Sequence, residues 1–244
     1  MKTGVIDIGN TALKAGIFED RELIDFVYSP EINTLEIFFN GVDSVIVGSV
    51  TGIPDNLRRV LKNFDVLFWD KFSDEISLPF DILCNYAQTI GIDRLALVAG
   101  ALALYPKENV LIISLGTCVT YNMLNSGGGF VPGAISAGLS MRLRAMHRDA
   151  PALPNVELND FRENTGIPIN NTETSMLNGC IMGLWYEIQG YIDQYSGEYE
   201  NLKILLTGGD LKYYDGRVSE SLRIFASPNL VLQGLNEILR YNKK

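Results

Sequence analysis

The sequence predicts an α/β protein built as two similar halves, and three observations carry that prediction. An apolar run near the start, Val5-Ile6-Asp7-Ile8-Gly9-Asn10-Thr11, ends in an aspartate, a glycine and two small polar residues. A partial copy, Ile112-Ile113-Ser114-Leu115-Gly116-Thr117, lies 107 residues further on and sets Ser114 on Asp7, Gly116 on Gly9 and Thr117 on Asn10. After the first copy the chain reads as strands and a helix in an order that suits a mixed sheet with helical cover. Similarity at an offset a little under half of the 244 residues implies two similar halves facing one another. The halves are placed at residues 1–108 and 109–244.

The elements follow in order. Residues 3–8, 13–18 and 23–29 read as three strands joined by tight turns. Residues 42–50 form a buried strand running into Gly48 and Ser49. A helix over 54–63 has Pro54 at its start and Leu57, Val60 and Leu61 on one face. Residues 65–70 are a further strand and 71–90 are irregular. The helix predicted over 93–105 is rich in small residues and suited to close packing against another element. Strand 109–115 opens the second half. Residues 127–133, GGGFVPG, read as a loop because glycine and proline interrupt regular structure, and a helix is predicted over 135–149. A long helix over 174–195 carries Met176, Leu177, Cys180, Ile181, Leu184 and Ile188 on its apolar side. Residues 203–210 read as a strand breaking into Gly208-Gly209, and a last helix covers 230–241.

Composition narrows the functional classes. Hydrophobic content of 47% and charged content of 20% describe a globular protein with ample core. The net charge of −9 argues against a general nucleic-acid or membrane surface, both of which need concentrated lysine and arginine, but leaves room for a small anionic ligand held by a few donors. The three cysteines, Cys84, Cys118 and Cys180, are widely spaced and read as reduced thiols. No apolar segment reaches membrane-spanning length and the start of the sequence runs directly into a strand, so a cytoplasmic protein is expected. His147 is the only histidine, which leaves little from which to build a Ser-His-Asp triad or a histidine-rich zinc site. It lies among Arg142, Arg144 and Arg148 and is expected at the surface.

Five sets of residues could carry chemistry. Asp7 at a strand end, with Gly9, Asn10 and Thr11 in the turn and Lys14 beyond, could hold a metal–phosphate group: the carboxylate orients Mg²⁺ or its water shell, and the turn offers N–H and hydroxyl donors. The same residues also suit an ordinary hairpin turn. In Gly91-Ile92-Asp93-Arg94, Asp93 is either a helix N-cap or a general base able to take the proton from an acceptor hydroxyl. Gly128, Gly129, Pro132 and Gly133 are either a turn or a surface where a ligand approaches the backbone. Gly208 and Gly209 are equally ambiguous, and Thr172 is a cap or a ligand contact.

Duplicated halves with phosphate-gripping hairpins suggest the superfamily of sugar kinases, Hsp70 and actin, in which nucleotide lies in a cleft between ribonuclease-H-like domains. The ordered set VIDIGNT with Lys14, GIDRLALVAGA, GTCVT, GGGFVPGAISAGLSMRLRAMHRDAPALP, Asn171-Thr172 followed by NGCIMG, and LLTGGD resembles the type III pantothenate kinases, in the variant found in Bacteroidetes. The resemblance implies transfer of the γ-phosphoryl group of ATP to the primary hydroxyl of pantothenate, the first step of coenzyme A synthesis. It also implies a homodimer that uses Mg²⁺ with K⁺ or NH₄⁺. By the same resemblance, the segment from Asp7 to Lys14, with Gly9, Asn10 and Thr11, holds ATP phosphates and metal. Gly91, Ile92, Asp93 and Arg94 contact pantothenate with Asp93 as base. Gly116 and Thr117 contact ATP, Gly208 and Gly209 flank the nucleoside, and Thr172 contacts pantothenate in a pocket closed by the dimer partner.

Three positions depart from the family pattern. Ser114 and Asn122 stand where the family has aspartates, and Ser114 occupies the monovalent-cation position; both changes remove a negative charge that a hard cation favours. Cys84 stands where a substrate-contacting tyrosine is expected, with Tyr86 two residues on as its substitute. Two further readings accompany the kinase: a catalytically silent relative binding nucleotide or pantothenate as a dimeric sensor or partner, and a kinase of the same fold acting on another hydroxyl.

Overall fold

The computed structural model describes residues 1–73, 75–158, 169–219 and 223–243. The chain divides into two compact units, the first made of residues 1–107, 124–131 and 229–244, the second of 108–123 and 132–228.

In the first unit β1 (Lys2–Ile8), β2 (Leu13–Glu19) and β3 (Glu22–Tyr28) form the expected antiparallel meander. β4 (Ser44–Ser49) runs parallel to β1, and β5 (Val66–Trp69) parallel to β4, so the sheet order is β3-β2-β1-β4-β5. Strand alternation gives β1 two faces. Ile6 and Ile8 join Ala15, Ile17, Val45 and Val47 under the short helices α1 (Leu35–Phe38) and α2 (Asp55–Val60), which contribute Leu35 and Leu57. Thr3, Val5 and Asp7 point the other way, toward α3 (Ile92–Leu104) and α6 (Leu230–Asn242). On that side the Thr3 hydroxyl donates to Asn236 Oδ1 at 2.6 Å. Asp7 is therefore the last residue on a face otherwise covered by helices.

The small residues of α3 do what their size suggests. At Gly234 of α6 a Cβ would lie 3.0 Å from Gly100 N and would overlap the Ala96 carbonyl, so the two helix backbones meet with no side chain between them. Gly234→Ala is expected to cost about 3 kcal/mol by overpacking, lowering Tm by about 10 °C in a chain of this size; a thermal melt superimposable on wild type would show that this contact yields. Also in this unit, β6 (Asp81–Ile82) pairs with Gly129-Phe130 at the start of β9 (Gly129–Ala137).

In the second unit β7 (Val110–Leu115), β8 (Cys118–Leu124), the later part of β9, β10 (Lys203–Thr207) and β11 (Ile224–Ala226) lie in the order β11-β10-β7-β8-β9. β10 is parallel to both β7 and β11. A strand with a hairpin partner on one side and a parallel neighbour on the other thus occurs twice, as β1 between β2 and β4 and as β7 between β8 and β10. Its described α-helices are α4 (Leu139–Asp149) and α5 (Thr172–Glu198). α5 buries Met176, Leu177, Cys180, Ile181, Leu184 and Ile188 as its spacing predicts, and Trp185 as well.

The breaker-rich segment 127–133 is corrected: from Gly129 it is strand, and the following helix begins at Leu139 rather than at 135. Its glycines serve packing as well as turning. A Cβ at Gly133 would lie 2.8 Å from the Tyr121 carbonyl oxygen and 2.7 Å from the Tyr195 hydroxyl, so glycine lets β9 lie close against β8. No helix among the described residues is long and apolar enough to cross a membrane.

Candidate active site

Register places the first group of residues. Asp7 pairs across β2 with Lys14 and across β4 with Gly48. A Cβ at Gly48 would lie 3.5 Å from Ile92 Cδ1, so the start of α3 sits over the end of β4. This brings Asp93 close enough to Asp7 for their charges to interact. Burial pushes the Asp7 carboxyl up to about 6; the Lys14 ammonium pulls it down and the Asp93 carboxylate adds to the rise. Beyond Asp7 the Gly9 N–H donates to the Ala12 carbonyl at 3.1 Å, closing a turn on which Asn10 and Thr11 are exposed. The two aspartates thus lie near one another in the first unit.

Gly91 is the N-cap of α3, so Asp93 is the second residue of its first turn and not the cap. Its carboxylate folds back over Gly91, where a Cβ would overlap Asp93 Oδ1. Burial raises the Asp93 carboxyl, while the Arg94 backbone N–H and guanidinium and Asp93's own N–H hold it down. Such a carboxylate is fixed in place and poised to accept a proton. Arg94 and Ile92 are buried, Asp93 is partly exposed, and Tyr86 is exposed on the segment leading into Gly91, with Cys84 partly exposed.

In the second unit backbone contacts gather the other residues at the carboxyl ends of the parallel strands β7 and β10. Ser114 pairs with Thr207, the residue before Gly208. Gly208 has φ of 102°, and a Cβ there would lie 2.6 Å from the Leu115 carbonyl carbon. The Gly116 N–H donates to the Cys118 carbonyl, and the Gly138 N–H to the Thr117 carbonyl, both at 3.1 Å. Gly138 is the N-cap of α4, and a Cβ there would overlap Gly116 O. Gly209 opens a 3-10 turn whose Asp210 accepts from the Leu139 N–H, and burial raises the Asp210 carboxyl. Thr172 is exposed and is the first residue of α5; the cap is Asn171, whose Oδ1 accepts from the Thr174 N–H at 2.8 Å. His147 is half-buried, with Nδ1 2.7 Å from the Leu153 carbonyl, which ties down the Pro-containing segment after α4.

Sequence reading missed a polar group built on Arg142 and Glu187. Glu187 accepts from the Tyr121 hydroxyl at 2.9 Å and the Ser136 hydroxyl at 3.2 Å, and pairs with the Arg142 guanidinium. The available signal was Glu187 itself, an acid three residues beyond Leu184 and seven beyond Cys180 on the apolar stripe of α5.

Two sheets, each with this strand arrangement, define the α/β fold of the sugar kinases and related ATPases. The chain matches the hexokinase of the ROK type from Thermus thermophilus with TM-score 0.53 at 15% identity over 98% of each chain. It matches a conserved putative Baf family transcriptional activator from Campylobacter jejuni with TM-score 0.60 at 18% identity over 98% of each. Within that class, the sequence model of the type III pantothenate kinases matches residues 5–194. Type III pantothenate kinases of Christiangramia forsetii and Bacteroides fragilis are each 36% identical to it, over 98% of this chain and 98% and 97% of theirs. The chain belongs to the type III pantothenate kinase family.

Proposed function

We propose that this protein transfers the γ-phosphoryl group of ATP to the primary hydroxyl of pantothenate, giving 4′-phosphopantothenate and ADP, the first step of coenzyme A synthesis. The observation that carries this reading is the approach of Asp7 and Asp93 within one unit, the second held rigidly over Gly91. Asp93 takes the hydroxyl proton as the oxygen–phosphorus bond forms and the bond to ADP breaks. Gly9, Asn10, Thr11 and Lys14 hold phosphate oxygens, with Gly116, Thr117, Gly208 and Gly209 of the second unit assigned to the nucleotide. Gly91, Ile92, Arg94, Tyr86 and Thr172 are assigned to pantothenate. The protein acts in the cytoplasm as a homodimer whose partner completes the pantothenate site near Thr172.

Asp7 fits Mg²⁺. It offers hard carboxylate oxygens, and its raised pKa marks an anion largely withdrawn from water that Lys14 only partly compensates. It would hold the ion through water, and the ion would neutralise charge on the phosphates. The residues at the monovalent-cation position do not fit such an ion. Ser114 is neutral, and Asn122, which is buried, offers a neutral amide whose Nδ2 donates to Thr120 Oγ1 at 3.1 Å in place of the charged carboxylate a hard cation favours. Among the described residues no three His, Cys, Asp or Glu side chains cluster to hold a metal.

Following ADP release from the purified protein with Mg-ATP, with and without pantothenate and in K⁺ or choline, tests both points. Pantothenate-dependent ADP release at similar rates in the two salts is expected. No dependence on pantothenate overturns the assigned reaction, and many-fold stimulation by K⁺ overturns the cation assignment alone.

A further inference from the structure

Arg142 holds three partners with one planar group. Its Nε donates to the Ala137 carbonyl at 2.8 Å, and its Nη2 donates to Ser136 Oγ at 3.0 Å and pairs with Glu187. Glu187 is in turn held by the Tyr121 hydroxyl of β8 at 2.9 Å, and the Tyr121 ring packs on Tyr191 with centroids 4.0 Å apart. The guanidinium therefore joins α4, α5, β8 and the end of β9.

What it holds is more telling than how many groups it touches. The Ala137 carbonyl and the Gly138 N–H belong to one peptide unit, which is a rigid plane. Arg142 grips the carbonyl end of that plane, and the N–H end donates to the Thr117 carbonyl at 3.1 Å. Gly138 leaves no room for adjustment, because a Cβ there would already lie 2.7 Å from Thr117 O. The orientation of the guanidinium is thus passed through a single peptide to the Gly116-Thr117 turn. A lysine could replace the charge but not the fork of donors that fixes the plane.

We propose that Arg142, fixed by Glu187, is a positioning residue that sets the Gly116-Thr117 turn and through it the affinity for ATP. This deepens the kinase reading, on which the assignment of that turn to ATP rests. In the full-length protein, Arg142→Lys and Glu187→Gln are expected to raise KM for ATP and Kd for a non-hydrolysable ATP analogue by about tenfold, the size of effect that loss of a charge-assisted contact gives. KM for pantothenate stays close to wild type. Arg142→Ala is expected to lose more, and methylguanidinium in the assay restores part of the loss. A purely structural role would lower Tm and leave KM and Kd for the nucleotide unchanged, and that result overturns the proposal. Should Arg142→Ala fail to fold, Glu187→Gln, of nearly the same shape, decides by the same two constants. Because analogue binding is measured directly, the positioning role is tested even if the wild-type protein shows no turnover with pantothenate, a failure that would count against the kinase reading alone.

Discussion

Asp93→Asn is expected to lower kcat by about two to four orders of magnitude while ATP binding stays near its wild-type value, the signature of a lost general base. The substitution is mild in every other respect. The amide has the carboxylate's shape and can fold over Gly91 in the same way, and one oxygen remains to accept from the Arg94 N–H that helps hold Asp93. What is lost is the ability to receive a proton as the pantothenate oxygen bonds to phosphorus. Initial rates at saturating substrates, with analogue binding measured alongside, separate the two quantities. A variant that keeps kcat within a few-fold of wild type removes Asp93 from the chemistry.

Asp7→Asn is the second large effect, and it moves activity and stability in opposite directions. Activity is expected to fall by about two to three orders of magnitude in kcat/KM, as when an electrostatic contact to the reacting phosphates is removed. Stability of the ligand-free protein is expected to rise. The Asp7 carboxyl titrates at about 6 in the folded protein against an ordinary 3.8, so folding disfavours its charged form. Its contribution to stability is fully present below pH 3.8 and is lost as pH rises through about 6. Above that window the ionised group destabilises the ligand-free fold by about 2 kcal/mol, after discounting for its partial exposure. Thermal melts at pH 7.5 and pH 5 without nucleotide check this: the variant melts above wild type at the higher pH, and the gap narrows at the lower. An Asn variant that melts below wild type at pH 7.5 contradicts the electrostatic cause assigned to Asp7.

Much of this was legible in the sequence where one local signal decided the outcome. Alternation along β1 and β2 gives the hairpin, and the strict alternation of faces is why Asp7 reaches the helix side of the sheet. Small residues from Ala96 to Ala101 announce a helix that packs closely, though not that Gly234 is its partner. What stayed hidden depended on neighbours distant in sequence. Gly129 to Gly133 carry turn chemistry, yet Tyr121 and Tyr195 turn them into a strand that needs glycine for space. Asp93 reads as a cap because acids favour helix starts, whereas Gly91 takes that position so that the carboxylate can lie back over it. Glu187 and Arg142 are 45 residues apart, and no local pattern pairs them.

Helix α6 has a bearing on how the protein comes into being. It is synthesised after every other described element, yet it lies against α3 through Gly100 and Gly234, is pinned to β1 by Asn236, and reaches Arg21 through Glu237 at 2.8 Å. The segment bearing Asp93 therefore lacks its supporting neighbour while translation proceeds, and nascent chains expose an apolar sheet surface until the last helix arrives. Phosphotransfer competence therefore waits on this helix, and a chain cut short upstream of Leu230 is expected to leave the face of β1 and α3 that α6 covers open to water.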